Sequence, residues 1–198
     1  MTLYCATTNA GKLREFRLAA EAFGYRGIEI APIPDLRNIK PPEETGKTFE
    51  ENAAQKALYY SERAPGLCFA DDSGLETSAL GGAPGVESAR FAGPDATDEA
   101  NNLLLLKKLA GAESRAGRFV CVIAVAEKGR LIRTFRGVVE GRILEAPRGA
   151  DGFGYDPLFW YEPFEATFGE VSAERKMLVS HRGQALHNML DWLDKNPS

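Results

Sequence analysis

Five short segments carry side chains whose types and spacing suit chemistry on a phosphorylated ligand. The run Ala70-Asp71-Asp72-Ser73-Gly74-Leu75 sets two adjacent carboxylates directly after an apolar stretch. Side chains alternate along a strand, so the pair points to opposite faces, with one carboxylate in a site and the other orienting it or capping a turn. A buried carboxylate without a partner is costly, which calls for a cation. Mg²⁺ fits, because hard oxygen ligands bridge well to phosphates. The bland alternative is a polar Asp-Asp-Ser-Gly turn. The second segment, Thr7-Thr8-Asn9-Ala10-Gly11-Lys12, lies between an apolar run and a helical pattern. Backbone N–H groups at a helix start, its dipole and Lys12 make a phosphate cradle. It is not a Walker loop: Ala6 stands where the first glycine belongs, and Leu13 follows the lysine. A strand-to-helix turn with a polar cap is the competing reading.

The third segment supplies Glu44 from a proline-bounded loop, followed by Asn52 and Lys56. Four residues apart on a helix, Asn52 and Lys56 share a face. Glu44 is either a second metal ligand or part of a solvated acidic loop. The fourth is Phe153-Gly154-Tyr155-Asp156, inside a glycine-rich stretch. Aromatics among glycines offer stacking faces to a nucleobase, worth about 1–3 kcal/mol per base; a packed aromatic loop would look the same. The fifth is Lys176 with Ser180-His181-Arg182. Hydrogen-bonding and cationic side chains at a helix start oppose its dipole, and such a local misfit hints at function. They can donate to a carbonyl oxygen such as O6 of hypoxanthine or xanthine. A solvated helix start is the alternative. His187 lacks such company and reads as structural or exposed.

The elements that must hold these segments follow from periodicity and punctuation. The sequence predicts strands at 3–6 and 28–33 around a helix at 12–23. A proline-rich loop then leads to a helix opened by a Thr48/Glu51 capping box and running to about residue 63. A strand at 67–70 is expected to end on the two aspartates. Beyond a glycine-rich turn comes a helix at 97–109, then a hairpin of 118–126 and 131–139 turned at Lys128-Gly129. A short strand at 142–145 and a glycine-rich loop at 149–157 precede a last helix. Ser180 caps that helix, and Ala185, Leu186, Met189, Leu190 and Leu193 form its apolar face. Strand–helix alternation followed by a hairpin implies an α/β protein with a mixed sheet flanked by helices.

The chain of 198 residues suits a single domain over 1–198, with no internal repeat or linker. Hydrophobic residues are 44% and charged residues 26%, the balance of a folded soluble protein. A formal net charge of −4 with no Lys/Arg-rich run argues against a nucleic-acid surface. No apolar run is long enough for a membrane span, and no leader pattern opens the chain. Cys5, Cys68 and Cys121 lie in strand-like apolar stretches and read as reduced core residues of a cytoplasmic protein.

Taken together and in order, the segments resemble the inosine triphosphate pyrophosphatases, which act on non-standard purine nucleoside triphosphates. The most specific pieces are Thr-x-Asn-x-x-Lys at Thr7–Lys12, Asp-Asp-Ser-Gly-Leu at Asp71–Leu75 with Gly-Gly-x-Pro-Gly after it, Phe-Gly-Tyr-Asp-Pro, and Ser-His-Arg. The resemblance implies an elongated mixed α/β fold whose two lobes enclose the active-site cleft, and a homodimer. It implies Mg²⁺-dependent hydrolysis of ITP, dITP or XTP to the nucleoside monophosphate and pyrophosphate. Asp72 then corresponds to the metal-binding proton acceptor and Glu44 to a metal ligand. Thr7, Thr8, Asn9, Ala10, Gly11, Lys12, Lys56 and Ser73 correspond to substrate-binding residues around the phosphates. Phe153, Gly154, Tyr155 and Asp156 correspond to the base and sugar pocket, and Lys176, His181 and Arg182 to base recognition. Thr8 replaces a frequent glycine, and Tyr155 replaces a tryptophan of some members. A metal-bound carboxylate is a poor base in the ground state, so Asp71 remains the other candidate. Two rival classes are a nucleotide-binding module without turnover and an aspartyl-phosphate phosphohydrolase. The latter needs alternate rather than adjacent aspartates.

Overall fold

The computed structural model describes residues 1–196 and contains one seven-stranded mixed sheet. Its strands are β1 (Thr2–Cys5), β2 (Glu29–Pro32), β3 (Cys68–Thr77), β4 (Ala116–Glu127), β5 (Arg130–Ile143), β6 (Phe159–Tyr161) and β7 (Ala166–Thr167). They lie in the order β2-β1-β3-β4-β5-β6-β7. The helices are α1 (Ala10–Ala22), α2 (Phe49–Ser61), α3 (Asp98–Lys108), α4 (Ala173–Met177) and α5 (His181–Lys195). The first three strands in the order run parallel, and every later pairing is antiparallel. The predicted hairpin is β4–β5, and its turn residues Lys128 and Gly129 both have positive φ, 49° and 75°. Positive φ at both central residues matches the twist of the flanking strands.

The two faces of the sheet carry separate cores. Phe16, Ala19, Met189 and Leu190 of α1 and α5 pack with Phe69, Cys121, Ile123 and Val125 on one face. Phe49, Ala53 and Ala57 of α2 pack with Ala70, Val120, Val122 and Ala124 on the other. A third cluster sits at the far end around Leu75, Leu105, Phe119, Phe159 and Phe168. The three cysteines are buried and unpaired, as expected. Among the described residues, no helix is long and apolar enough to cross a membrane.

Several expectations need correction. The third strand does not end on the aspartates. It continues to Thr77, with Asp71 and Asp72 in its first half, so the polar-turn reading of that segment is wrong. Unbroken pairing with β4 from Cys68 to Thr77 stabilises this extension. The short strand expected at 142–145 is the tail of β5. In the capping box, Thr48 Oγ accepts the Glu51 amide, but the Glu51 carboxylate takes the N–H of Lys47 instead of Thr48. β6, β7 and α4 are too short to leave a periodic signal.

Candidate active site

The site lies where the chain changes sides. α1 follows β1 on one face and α2 precedes β3 on the other, so the C-terminal end of β1 is a topological switch point, the usual place for a ligand crevice in such sheets. β1 pairs with β3 only through Tyr4–Cys68 and Cys5–Phe69. Further along the same edge, Leu75 N–H donates to Ser88 Oγ (2.9 Å) and Thr77 N–H to the Ala83 carbonyl (3.1 Å). Between these two covers the edge of β3 is open at Asp71-Asp72-Ser73. Alternation along an antiparallel pair turns the backbone groups of Asp71 and Ser73 away from β4, into this window. A cleft of about 270 Å³ occupies it.

The aspartates do diverge. Asp71 lies across from Ile123 and faces α1 and α5, whereas Asp72 lies across from Val122 and faces α2. Asp71 Oδ2 accepts from Lys12 Nζ at 2.8 Å and from Ser73 Oγ at 3.2 Å. Burial would raise its pKa, but Lys12, Arg182 and Lys56 outweigh that and hold it at about 2. Asp72 accepts from Lys56 Nζ at 2.9 Å and Asn52 Nδ2 at 3.2 Å. Burial pushes its carboxyl above the usual range; Lys56 opposes the shift and Glu44 adds to it. Asn52 and Lys56 thus share a helix face, as their spacing predicts, and that face meets Asp72.

Lys56 Nζ also sits 3.2 Å from Glu44 Oε1. Two carboxylate oxygens from different elements therefore converge on one cation. Among the described residues, no group of three or more His, Cys, Asp or Glu side chains has the spacing of a metal site. Two carboxylates suit an ion that keeps waters and substrate phosphates in its shell, as Mg²⁺ does.

At the start of α1, Asn9 Oδ1 accepts the Lys12 amide at 3.0 Å, and Asn9's own amide donates to Thr7 Oγ at 3.2 Å. The amides of Ala10 and Gly11 have no partner among the described residues, leaving two free donors at a helix N-terminus. Asn9 and Lys12 line the cleft; Thr7, Thr8, Ala10 and Gly11 do not, and Thr8 is solvent-exposed.

The opposite end of the cleft holds a buried cluster of paired charges, in which Arg182 Nε and His181 Nδ1 are left without partners. Lys176 Nζ bridges Glu15 (2.7 Å) and Asp156 (2.5 Å), all three buried. Arg182 pairs with Glu15 and donates to Ser73 Oγ at 3.0 Å. Burial would raise the pKa of Glu15, but Arg182 and Lys176 hold it below its usual value. Phe153 lies over both cations, 5.4 Å from each. Lys176, in the last turn of α4, and Arg182, in the first turn of α5, are therefore not solvated: Lys176 Nζ and both Nη atoms of Arg182 are engaged, and only Arg182 Nε lacks a partner. His181 stacks on Phe119 with ring centroids 4.7 Å apart, and its Nδ1 has no partner. Burial, then Arg182 and Lys176, hold its pKa well below the usual value, so the ring is neutral. Tyr155 also departs from expectation. It is buried, and its hydroxyl donates to the Ser88 carbonyl at 2.8 Å, so it is a wall of the third core cluster more than an open stacking face. His187 is exposed and stacks on Phe23 at 4.5 Å, away from the cleft.

Sequence reading missed Glu15, Ser88, Arg90, Asp98 and Asn102. Asp98 Oδ2 accepts the Gly154 amide at 2.6 Å, and Asn102 Nδ2 donates to the Gly154 carbonyl at 3.0 Å. One face of α3 thus grips both polar groups of the residue beside Phe153. A carboxylate at position 15, four residues before the buried Ala19, was the only local signal for Glu15.

A cleft at a sheet switch point, beside a helix start and with two lysine–carboxylate pairs and an aromatic wall, defines an α/β protein suited to an anionic ligand that also carries a flat ring. Comparison with known proteins makes this specific. A model of the Ham1 family matches residues 3–192, and the chain belongs to that family. A dITP/XTP pyrophosphatase of Acidobacterium capsulatum is 52% identical, with 96% of this chain and 97% of the relative covered. Another, from Syntrophobacter fumaroxidans, is 52% identical over 93% of this chain and 78% of the relative. Among solved structures, a HAM1 protein from Coxiella burnetii superposes with a TM-score of 0.86 at 37% identity, covering 98% of this chain and 99% of that one. The Staphylococcus aureus Ham1 protein gives 0.86 at 36% identity, with the same coverage.

Proposed function

We propose that this protein hydrolyses non-standard purine nucleoside triphosphates (ITP, dITP and XTP) to the nucleoside monophosphate and pyrophosphate, removing them from the nucleotide pool. The observation that carries this reading is the pairing, in one cleft, of a lysine–carboxylate cluster with a wall formed by Phe153, Tyr155 and His181. Similarity to dITP/XTP pyrophosphatases along nearly the whole chain supports it.

Asp72 and Glu44 would hold Mg²⁺, whose charge would neutralise negative charge building on the pyrophosphate leaving group. The chain's own groups do the rest. Water attacks the α-phosphorus, its proton passes to a carboxylate, and the bond to the bridging oxygen breaks. Asp72 is the better acceptor of that proton. It lines the cleft, whereas Asp71 does not and is engaged by Lys12 Nζ and Ser73 Oγ. Asp71 instead positions Lys12. Lys12 and Lys56, both in the cleft wall, stabilise the developing phosphate charge by fixed electrostatics. For the base, Arg182 Nε is a donor without a partner and can only donate, so it favours a 6-carbonyl. A 6-amino group would turn donor toward donor and leave buried groups unpaired, which can discriminate by up to about 10⁴–10⁵.

The test is product analysis on ITP, dITP, XTP and ATP with and without Mg²⁺. Pyrophosphate as the first product, metal dependence and a kcat/KM for ITP far above that for ATP are expected. Orthophosphate as first product, or equal values for ITP and ATP, would refute the reading. Ligand binding without turnover would favour the non-catalytic alternative.

A further inference from the structure

We propose that Arg90, to which no role in the site has so far been given, is a further substrate ligand that binds the end of the triphosphate leaving as pyrophosphate. This rests on the hydrolytic reading above.

The residue is built into the cleft. It ends the 3₁₀ segment Gly85–Arg90. Side chains three apart in a 3₁₀ helix eclipse one another, and Glu87 accordingly takes Arg90 Nε at 2.6 Å and Nη2 at 3.0 Å. That fork-to-fork contact fixes the plane of the guanidinium and leaves Nη1 free to turn into the cleft, 3.8 Å from Glu44 Oε2. The segment itself is registered against β3. Ser88 Oγ binds the Leu75 amide at 2.9 Å and the Gly85 carbonyl at 2.6 Å. Gly74 makes that approach possible, since a Cβ there would lie 2.4 Å from Ser88 Oγ and 2.5 Å from the Gly85 carbonyl. Arg90 is thus tied, through Ser88 and Gly74, to the strand residues next to Asp72.

The charges around it form an alternating row: Asp72, Lys56, Glu44, Arg90. Asp72, which takes the proton, is at one end, and Arg90 is at the other, beyond Lys56. Phe153, Lys176 and His181 belong to the separate, closed end of the cleft. Phosphates running away from the attacked atom along this row meet Lys56 and then Arg90. With Nε and Nη2 held by Glu87, Nη1 presents its N–H groups to a terminal phosphate from a fixed plane, which a lysine ammonium on a freely turning stem does not. Arg90 is part-exposed and held to Glu44 by only one long contact, so an incoming phosphate displaces little.

Calorimetric binding of inorganic pyrophosphate and of IMP to the wild type, Arg90→Gln and Arg90→Lys tests this, alongside steady-state kinetics on ITP. Loss of a charge-assisted hydrogen bond should weaken pyrophosphate about tenfold or more in Arg90→Gln. IMP affinity should stay within about twofold, and the KM for ITP should rise more than kcat falls. Arg90→Lys should recover part of the pyrophosphate affinity. Unchanged pyrophosphate affinity in Arg90→Gln, or equal weakening of pyrophosphate and IMP, would overturn the proposal. A wild type that binds pyrophosphate through Arg90 yet cleaves no triphosphate would overturn the hydrolytic reading and leave Arg90 an anion ligand. Cleavage of ITP with pyrophosphate binding indifferent to Arg90 would sink the Arg90 role alone.

Discussion

The two ends of the cleft solve the same problem, holding buried charge, in opposite ways. At the phosphate end each carboxylate is matched to a lysine that is itself part of the cleft wall, and Glu44 is 30% exposed. At the base end, Glu15, Lys176, Asp156 and Arg182 form a closed cluster with side-chain exposures of 3–7%. Glu44, part-exposed, can exchange its partners at little cost, whereas Asp71 and Asp72 are buried and keep theirs. Partners at the second cannot be released without leaving a charge buried and alone. On the proposed reading the first end does the chemistry, while the ion pairs of the second fix the shape of a pocket.

The largest effect should come from breaking the phosphate end without touching the other. Asp72→Asn is expected to lower turnover of ITP by about 10³-fold or more, the upper part of the range for a lost general base, while calorimetry still detects ITP binding. Turnover close to wild type would remove Asp72 from its role. Next comes the contrast between Glu15→Gln and Glu44→Gln in urea unfolding. The former strips two buried cations of their shared partner and should cost about 3–5 kcal/mol. The latter should change stability by about 1 kcal/mol or less, because its ion pairs are part-exposed. Similar losses in both variants would erase the distinction between the two ends.

The base end should also carry a pH signature. His181 is neutral when folded, its pKa depressed, while the unfolded chain binds a proton below about 6.5. Stability is then complete above that value and falls as pH drops through it, by up to about 1.4 kcal/mol per pH unit. Between pH 6.5 and 5 the slope should vanish in His181→Gln; a slope that persists would assign it elsewhere. The smallest effect should follow Asn102→Leu. Loss of one hydrogen bond to the Gly154 carbonyl, worth about 1 kcal/mol, should reduce the ITP:ATP ratio of kcat/KM about fivefold with kcat on ITP nearly kept. An unaltered ratio would mean that α3 does not position the Phe153 loop.

Much of the phosphate end was legible in the sequence because its contacts are local or periodic. Asn52 and Lys56 are one helical turn apart, and Asn9 caps the helix that presents Lys12. The opposite facing of Asp71 and Asp72 follows from strand alternation alone. The extent of β3 was not legible, because Gly74 and the charges around it read as a turn until β4 pairs alongside. Nor was the closed cluster: Glu15 meets Lys176 across 161 residues of chain, and nothing near position 15 announces that partner. Arg90 was hidden for a different reason. Its place depends on Gly74 and Ser88 bringing a 3₁₀ turn onto the strand edge, a contact with no periodic trace.

The open window on β3 has one more consequence. A strand edge with unpaired amide and carbonyl groups is a template on which another chain can add a strand and begin to aggregate. Here Lys12 and Lys56 flank that edge, one on each face, each neutralised by an aspartate of the strand itself. An added strand would have to bury these charges. The two lysines proposed to meet the triphosphate would therefore also act as gatekeepers, and variants that neutralise both should lose solubility.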